Sequence, residues 1–386
     1  MRALFQTKPS WVLFYWCFFL FLGVVENLRS ALLPHVKADL GLNDQELSAL
    51  LMIGALASVL FQLFGGKLID KLGQQPLYHL ALGACLGALL WAPEVSGLSG
   101  ALIFFFLMHM GFTLYSLLTN SLIPSLGERA GQLLTLSHGC YGLGAALSPL
   151  IAQELLVGLG GWRESYQALG LPLLALWLWL CYLSPRHRQL PSLKSAERPR
   201  LRLLLKDRQL WLFSGLFGCA ITAEVASSSW LVRYLSEVST LSPAHAGYFL
   251  TGFYVFFTLM RFLGSSLPSR LGEHRALRLC LIAAGLCILT ALSDPRVAGY
   301  CLALSGLFFA LIFPSVVMIL NQSYQEHRAH ILGVVISGAL LIFMLMNALI
   351  GAFCEHISVR YSYLVMAACV GLALMIRSRL EASQSS

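Results

Sequence analysis

The chain has 386 residues, of which 58% are apolar and only 11% charged, and its mean hydropathy is +0.74. A soluble domain carries about one charged residue in four, and its helices keep a polar outer face. Segments such as 101–118 are apolar all round, so a soluble core is excluded. The formal net charge of +8 raises the question of nucleic acid, which the placement of the basic residues answers below.

Apolar blocks of roughly twenty residues are each long enough to cross a hydrocarbon core of about 30 Å as a helix. With turn residues as punctuation they predict twelve spans. Those of the first half lie near 11–36, 45–66, 76–94, 99–123, 131–157 and 165–184, and those of the second near 209–235, 244–268, 275–293, 298–321, 331–354 and 358–377. The first block, from Trp11, has no small-residue cleavage site and runs on too far for a signal peptide, so it is kept as a helix of the mature protein. The ten cysteines fall mostly within apolar blocks and form no C-x-x-C pair. Neither a zinc site nor a disulfide framework is expected, nor a cofactor.

The expected fold is therefore all-α and polytopic. Residues 1–184 form one six-helix bundle, 185–208 a basic linker, and 209–386 a second bundle. The connector PRHRQLPSLKSAERPRLRLLLKDRQL (185–210) holds eight Lys or Arg against two acidic residues. Placing it in the cytoplasm puts both termini there too, and then 20 of the 26 Lys and Arg lie in cytoplasmic loops and ends. The positive-inside rule supports that orientation, and the basic charge becomes a topology signal rather than a nucleic-acid footprint.

The halves resemble each other. FGGKLIDKLG (64–73) joins spans 2 and 3, and LGSSLPSRLG (263–272) joins spans 8 and 9, with glycines and a basic residue in register. A repeat at matching topological positions supports two related bundles. The first of these loops, with Gly66, Asp70, Lys71 and Gly73, resembles the G-x-x-x-D-[RK]-x-G-[RK]-[RK] signature of the major facilitator superfamily, although Gln74 and Gln75 replace the terminal basic pair. The resemblance implies a conformational gate. The start of span 11 lies at the same membrane face, and its helix dipole favours a nearby Asp70. An ordinary tight turn is the plainer alternative.

A narrower resemblance covers most of the chain. FFLFLGVVENLRSALLPHV (18–36), LSHGCYGLGAALSPL (136–150), AEVASSSWLVRYL with YFLTGFYVFFTLMRFLGSSLPSRLG (223–235, 248–272) and FPSVVMI (313–319) are similar, in order, to elements of the fucose/glucose/galactose–proton symporter family. That family carries acidic residues in its first and fourth helices that are implicated in proton coupling and sugar binding. Ser30 and Ser116 align there instead.

The charged residues taken as intramembrane, rather than as belonging to loops or helix ends, are Glu26, Arg29 and Glu224. Glu26 and Arg29 share a helix face and can pair, which offsets part of the cost of burying charge in a bilayer. They serve either to orient helix 1 or to contact a polar solute. Glu224 lies about fifteen residues into its span, near mid-membrane at 1.5 Å per residue, with no cation in helical reach. It is either neutral or met by a cation from another helix, and it leads Glu26 as a proton-coupling candidate; a hydrogen-bonded packing role is the plainer reading. Candidate solute contacts are Asn27, Arg29, Ser30, Ser116, Asn120, His138, Ser228, Trp230 and Asn347, each of which also suits an ordinary interhelical hydrogen bond. The run Gly139-Cys140-Tyr141-Gly142-Leu143-Gly144 follows no strand, so it reads as close helix packing rather than a phosphate loop.

The resulting expectation is a secondary transporter, not an enzyme. It is expected to move a small polar solute, a sugar by resemblance, by alternating access and coupled to protons. It is placed as a monomer in the lipid bilayer of a bacterial inner membrane. The alternatives are a proton-driven exporter of amphipathic compounds and a non-transporting sensor with the same fold.

Overall fold

The computed structural model describes residues 9–122, 130–183, 206–264, 267–324 and 328–385. In the first half these form α1 (Pro9–Leu40), α2 (Asp44–Leu72), α3 (Gln74–Trp91), α4 (Gly97–Leu122), α5 (Ala130–Leu159), α6 (Trp162–Ala168) and α7 (Gly170–Leu183). In the second they form α8 (Arg208–Val238), α9 (Pro243–Leu263), α10 (Leu267–Leu271), α11 (Glu273–Ser293), α12 (Ala298–Phe309), α13 (Ile312–Ser323), α14 (Arg328–His356) and α15 (Val359–Ser385). No strand occurs among the described residues. Among the described residues twelve stretches are long and apolar enough to cross a membrane; α6 with α7 and α12 with α13 count as one each.

Local chemistry sets the helix ends. Asn43 and Glu46 form a reciprocal capping box at the start of α2, satisfying two donors that the first turn leaves open. Asp207 caps α8 and Ser242 caps α9 through backbone N–H groups. The second membrane-length stretch, Asp44–Gly65, ends where expected, and the helix α2 continues beyond it as far as Gly73, whose φ of +79° suits glycine. Gly272 holds the equivalent place before α11 with φ +85°. The two loops singled out by their sequence thus end on the same left-handed glycine. The tenth span is not continuous as expected: it breaks between Phe309 and Ile312, just before Pro314, which supplies no backbone donor to the preceding turn.

Of the expected gate residues, Gly73 ends α2 and Lys71 lies in its last turn; the side-chain positions of Gly66 and Asp70, like those of Asn120 and His138, lie outside the described residues.

Glycines hold α1 against α5. A Cβ on Gly144 would run into the Leu20 carbonyl oxygen and lie 2.9 Å from the Val24 nitrogen, and one on Gly23 would strike the Tyr141 carbonyl. This backbone-on-backbone crossing is how small residues join helices in lipid, and it matches the packing reading of the Gly139–Gly144 run. Across the bundles α2 packs along α14, α5 along α9, and α1 along α8.

Two ends of the molecule are distinguished by the chain path. One carries the end of α7 and the start of α8; the far end carries the α1–α2 turn, the end of α8 and the α14–α15 turn. At the far end Asp44 binds Lys37 of its own half and Arg233 of the other, with Arg233 Nη2 donating to Oδ2 at 2.8 Å. The Asp44 amide donates to Glu355 at 2.6 Å, Gln45 lies 2.9 Å from His356, and Asn347 donates to the Ser48 carbonyl at 3.0 Å. Polar contacts between the halves therefore close the far end. Toward the connector end, α5 meets α9 where a Cβ on Gly142 would lie 2.7 Å from Thr258 Oγ1.

Candidate functional site

Inward of the far-end closure lies a cavity of about 170 Å³. Its walls come from both halves: Glu26, Asn27, Arg29 and Ser30 of α1 and Tyr141 of α5 on one side, Glu224, Ser228 and Ser229 of α8 and Tyr254 and Arg261 of α9 on the other. Phe253, Phe257 and Val225 supply apolar surface. Depth follows from helix length. Glu224 is one residue past the midpoint of the 31-residue α8, and Glu26 lies close to the middle of the 32-residue α1.

The Gly23–Gly144 crossing brings Tyr141 against α1. Asn27 Nδ2 donates to the Gly23 carbonyl at 2.8 Å and to the Tyr141 hydroxyl at 3.2 Å, and that hydroxyl donates to Glu26 Oε2 at 3.0 Å. Glu26 is thereby oriented by a tyrosine. The ion pair allowed by the i, i+3 spacing is not the contact Arg29 makes. Its Nη1 instead lies 3.0 Å from His109 Nε2 on α4. Arginine has no acceptor, so Nε2 must accept, and His109 carries its proton on Nδ1, 2.9 Å from the Phe105 carbonyl. Gly54 makes room for this ring: a Cβ there would lie 2.7 Å from Nε2.

Opposite Glu26 and Arg29, in the wall that also holds Glu224, stands Arg261 of α9. Its guanidinium carbon stacks 4.3 Å from the centroid of Phe257, a cation–π contact that orients the fork. Among the described residues neither Glu224 nor Arg261 makes an ion pair within 4.0 Å, and the buried Nε of Arg261 and of Arg29 each lack an acceptor.

Of the residues expected from the sequence, Glu26, Asn27, Arg29, Ser30, Glu224 and Ser228 line this cavity, and Ser116 on α4 does not. Trp230 is fully buried in α8, with Arg233 5.5 Å from its ring, and Asn347 is committed to Ser48 at the far end. His109, Tyr141, Tyr254 and Arg261 were not picked out by the sequence. Arg261 was counted among the basic residues at the connector end, and its side chain runs back into the cavity. No group of three or more metal-ligating side chains occurs among the described residues.

Twelve apolar spans among the described residues, in two halves around a central cavity with charged side chains in its walls, define an integral, multi-pass membrane carrier. The sequence profile of the Major Facilitator Superfamily matches residues 14–293 and 212–384, and the chain belongs to that family. The glucose/galactose transporter of Brucella abortus is 24% identical over 90% of this chain and 91% of its own length, and the L-fucose-proton symporter of Escherichia coli is 25% identical over 84% and 83%. The nitrite extrusion protein of Bacillus subtilis is 24% identical over 65% of this chain, which spans only 62% of that relative. Among solved structures, the E. coli fucose:proton symporter superposes with a TM-score of 0.66 at 20% identity, covering 97% of this chain and 99% of that one. A D-xylose-proton symporter superposes with a TM-score of 0.78 at 13% identity, covering 96% and 97%. The chain is thus a transporter of this family, not an enzyme.

Proposed function

We propose that the protein takes up a small polyhydroxylated solute of monosaccharide size together with protons, by alternating access of the bundles 1–184 and 209–386 around the central cavity. The observation that carries this is the cavity itself. It presents two carboxylates, two guanidinium groups and several hydroxyls with aromatic rings beside them, donors and acceptors for sugar hydroxyls and apolar faces for a ring. At about 170 Å³ it falls below the 300–1,000 Å³ of sites that hold drug-sized molecules, which favours a small solute over export of amphipathic compounds. The relatives named as glucose/galactose and fucose–proton transporters support the sugar class.

In this reading Glu224 is the proton carrier and Glu26 the second acidic group, the Gly66–Gly73 segment that ends α2 gates the connector side, and the Asp44 network gates the far side. The protein works as a monomer in a bacterial inner membrane with both termini in the cytoplasm. A second reading, carriage of an inorganic oxyanion, takes its support from the nitrite extrusion relative and from the two arginines.

The test is purified protein in proteoliposomes under an imposed inward pH gradient, offered labelled monosaccharides, sugar acids, nitrate and a lipophilic cation in parallel. Accumulation of a sugar-class solute that collapses with the gradient is the expected result. Gradient-driven movement of the lipophilic cation alone would overturn the reading, nitrate alone would establish the second, and solute binding without flux would establish a sensor.

A further inference from the structure

The cavity holds an imbalance in hydrogen bonding that a neutral sugar does not resolve. Arg29 spends Nη1 on His109, a partner that contributes an acceptor but no charge, and Arg261 rests on a phenyl ring. Both guanidinium groups keep a buried Nε–H without an acceptor, and an unmade hydrogen bond in a buried site is expensive. The planar arginine fork matches a carboxylate, two N–H donors to two oxygens, better than it matches single hydroxyls. The two forks belong to opposite halves, so one bound group touching both would bridge the bundles.

Charge bears on the same point. The cavity carries Glu26 and Glu224 against Arg29 and Arg261. With both carboxylates ionised the four charges cancel, and an entering anion would be unbalanced in a poorly solvated site. With a proton on Glu224, Arg261 loses the carboxylate that shares its wall and one negative charge is missing. Glu224 faces Arg261 and Tyr254 of α9, Glu26 and Arg29 of α1, and Tyr141 of α5. On the other side of α8, α15 brings Tyr363 to the Ser227 carbonyl and Cys369 to Cys219, while the charged groups of α14, Glu355 and His356, sit at the far end.

We propose that the solute is a small hydroxylated carboxylic acid, its carboxylate held by Arg29 and Arg261, and that it travels with one proton on Glu224, so that the step moves no net charge. Arg261 is the shared counter-ion: a protonated Glu224 releases it to the solute, and an ionised Glu224 competes for it and favours release of the solute. This rests on the reading of the cavity as the transport site and narrows its substrate class from sugars to sugar acids and similar hydroxy acids.

The experiment uses the full chain in proteoliposomes and, for binding, in detergent. A panel of aldonates, uronates and shorter hydroxy acids is set against the matching neutral sugars and sodium nitrate. An acid is expected to raise the melting temperature where its neutral counterpart does not. Arg261→Gln and Arg29→Gln should each weaken it by about 100-fold, as for truncating one partner of a buried charge pair; Arg261→Lys, which keeps the charge but not the fork, should weaken it less while melting as the unmodified protein does. Uptake under a pH gradient should proceed at the same rate with the membrane potential clamped at zero or inside-negative by valinomycin and potassium. A neutral sugar bound as tightly as its acid, or an Arg261→Lys protein that folds and binds the acid undiminished, overturns the carboxylate assignment. Nitrate as the sole bound solute overturns the hydroxy-acid class, and potential-driven uptake overturns the one-proton balance. Flux of a neutral sugar but of no acid overturns this inference and leaves the transport reading standing; no flux of any solute overturns the transport reading beneath it.

Discussion

Asp44 is the residue on which the far-end closure turns, and replacing it with asparagine keeps its size while removing its charge. Its side chain is only 4% exposed, against 13% for Arg233 and 28% for Lys37. Stranding one partner of a fully buried pair costs about 3–5 kcal/mol, and an exposed pair contributes at most about 1 kcal/mol. Arg233 keeps Glu237 at 2.6 Å, and Lys37 reaches water, so the loss for Asp44→Asn falls between these limits, at about 2 kcal/mol. The pair across the bundles exists only when the far end is closed. The loss therefore displaces the closed–open equilibrium about 30-fold toward open, at about 1.4 kcal/mol per factor of ten. Hydrogen–deuterium exchange reads this directly, because the Asp44 amide donates across the interface to Glu355 rather than along a helix. Exchange at 44–48 and 350–356 should accelerate. Unchanged exchange at both segments in a folded Asp44→Asn protein would refute the assignment of Asp44 as the far-end latch.

Gly144→Ala places a methyl group against the Leu20 carbonyl and the Val24 nitrogen; overpacking of this kind costs about 1–3 kcal/mol, seen as a lower melting temperature in detergent, and an unchanged value would mean that α1 and α5 move apart freely. Glu224→Gln should retain solute counterflow without a gradient and lose uphill accumulation under an imposed pH gradient, and full accumulation would reduce Glu224 to a packing residue. Asp70→Asn should slow transport while leaving solute affinity within a few-fold, measured as initial rate against equilibrium binding; an unaltered rate at equal expression counts against a gate in the 66–73 loop.

The spans were legible because hydrocarbon demands long apolar runs and the turns between them are marked by polar residues and glycine. Charged groups such as Glu26, Arg29 and Glu224 stood out for the same reason. Depth along a helix was also readable, but direction around it only in part. Ser228 follows Glu224 by four residues, about 40° round the helix, and shares the cavity; Trp230 follows by six, about 240° round, and turns away. Asn347 has the depth of a binding residue in sequence, yet the packing of α2 on α14 commits it to Ser48. Tyr141, Tyr254 and His109 gave no signal, since their rings suit an apolar helix and their polar tips matter only once a partner helix is in place. Arg261 was hidden by position: two residues from the end of α9, it reads as an interfacial anchor until the long side chain is followed inward.

The pairing of Asp44 with both Lys37 and Arg233 has a kinetic side. A latch made of a single buried ion pair would leave a bare carboxylate whenever it opened, and the barrier to opening would include most of that desolvated charge. Lys37 belongs to the same half as Asp44 and stays beside it when Arg233 departs, while Glu237, one helical turn along α8, stays with Arg233. Each half thus carries its own replacement partner to the parting surface. The far end can hold firmly while shut and still separate at turnover speed, because neither charge has to wait for solvent or an ion to arrive before the halves move.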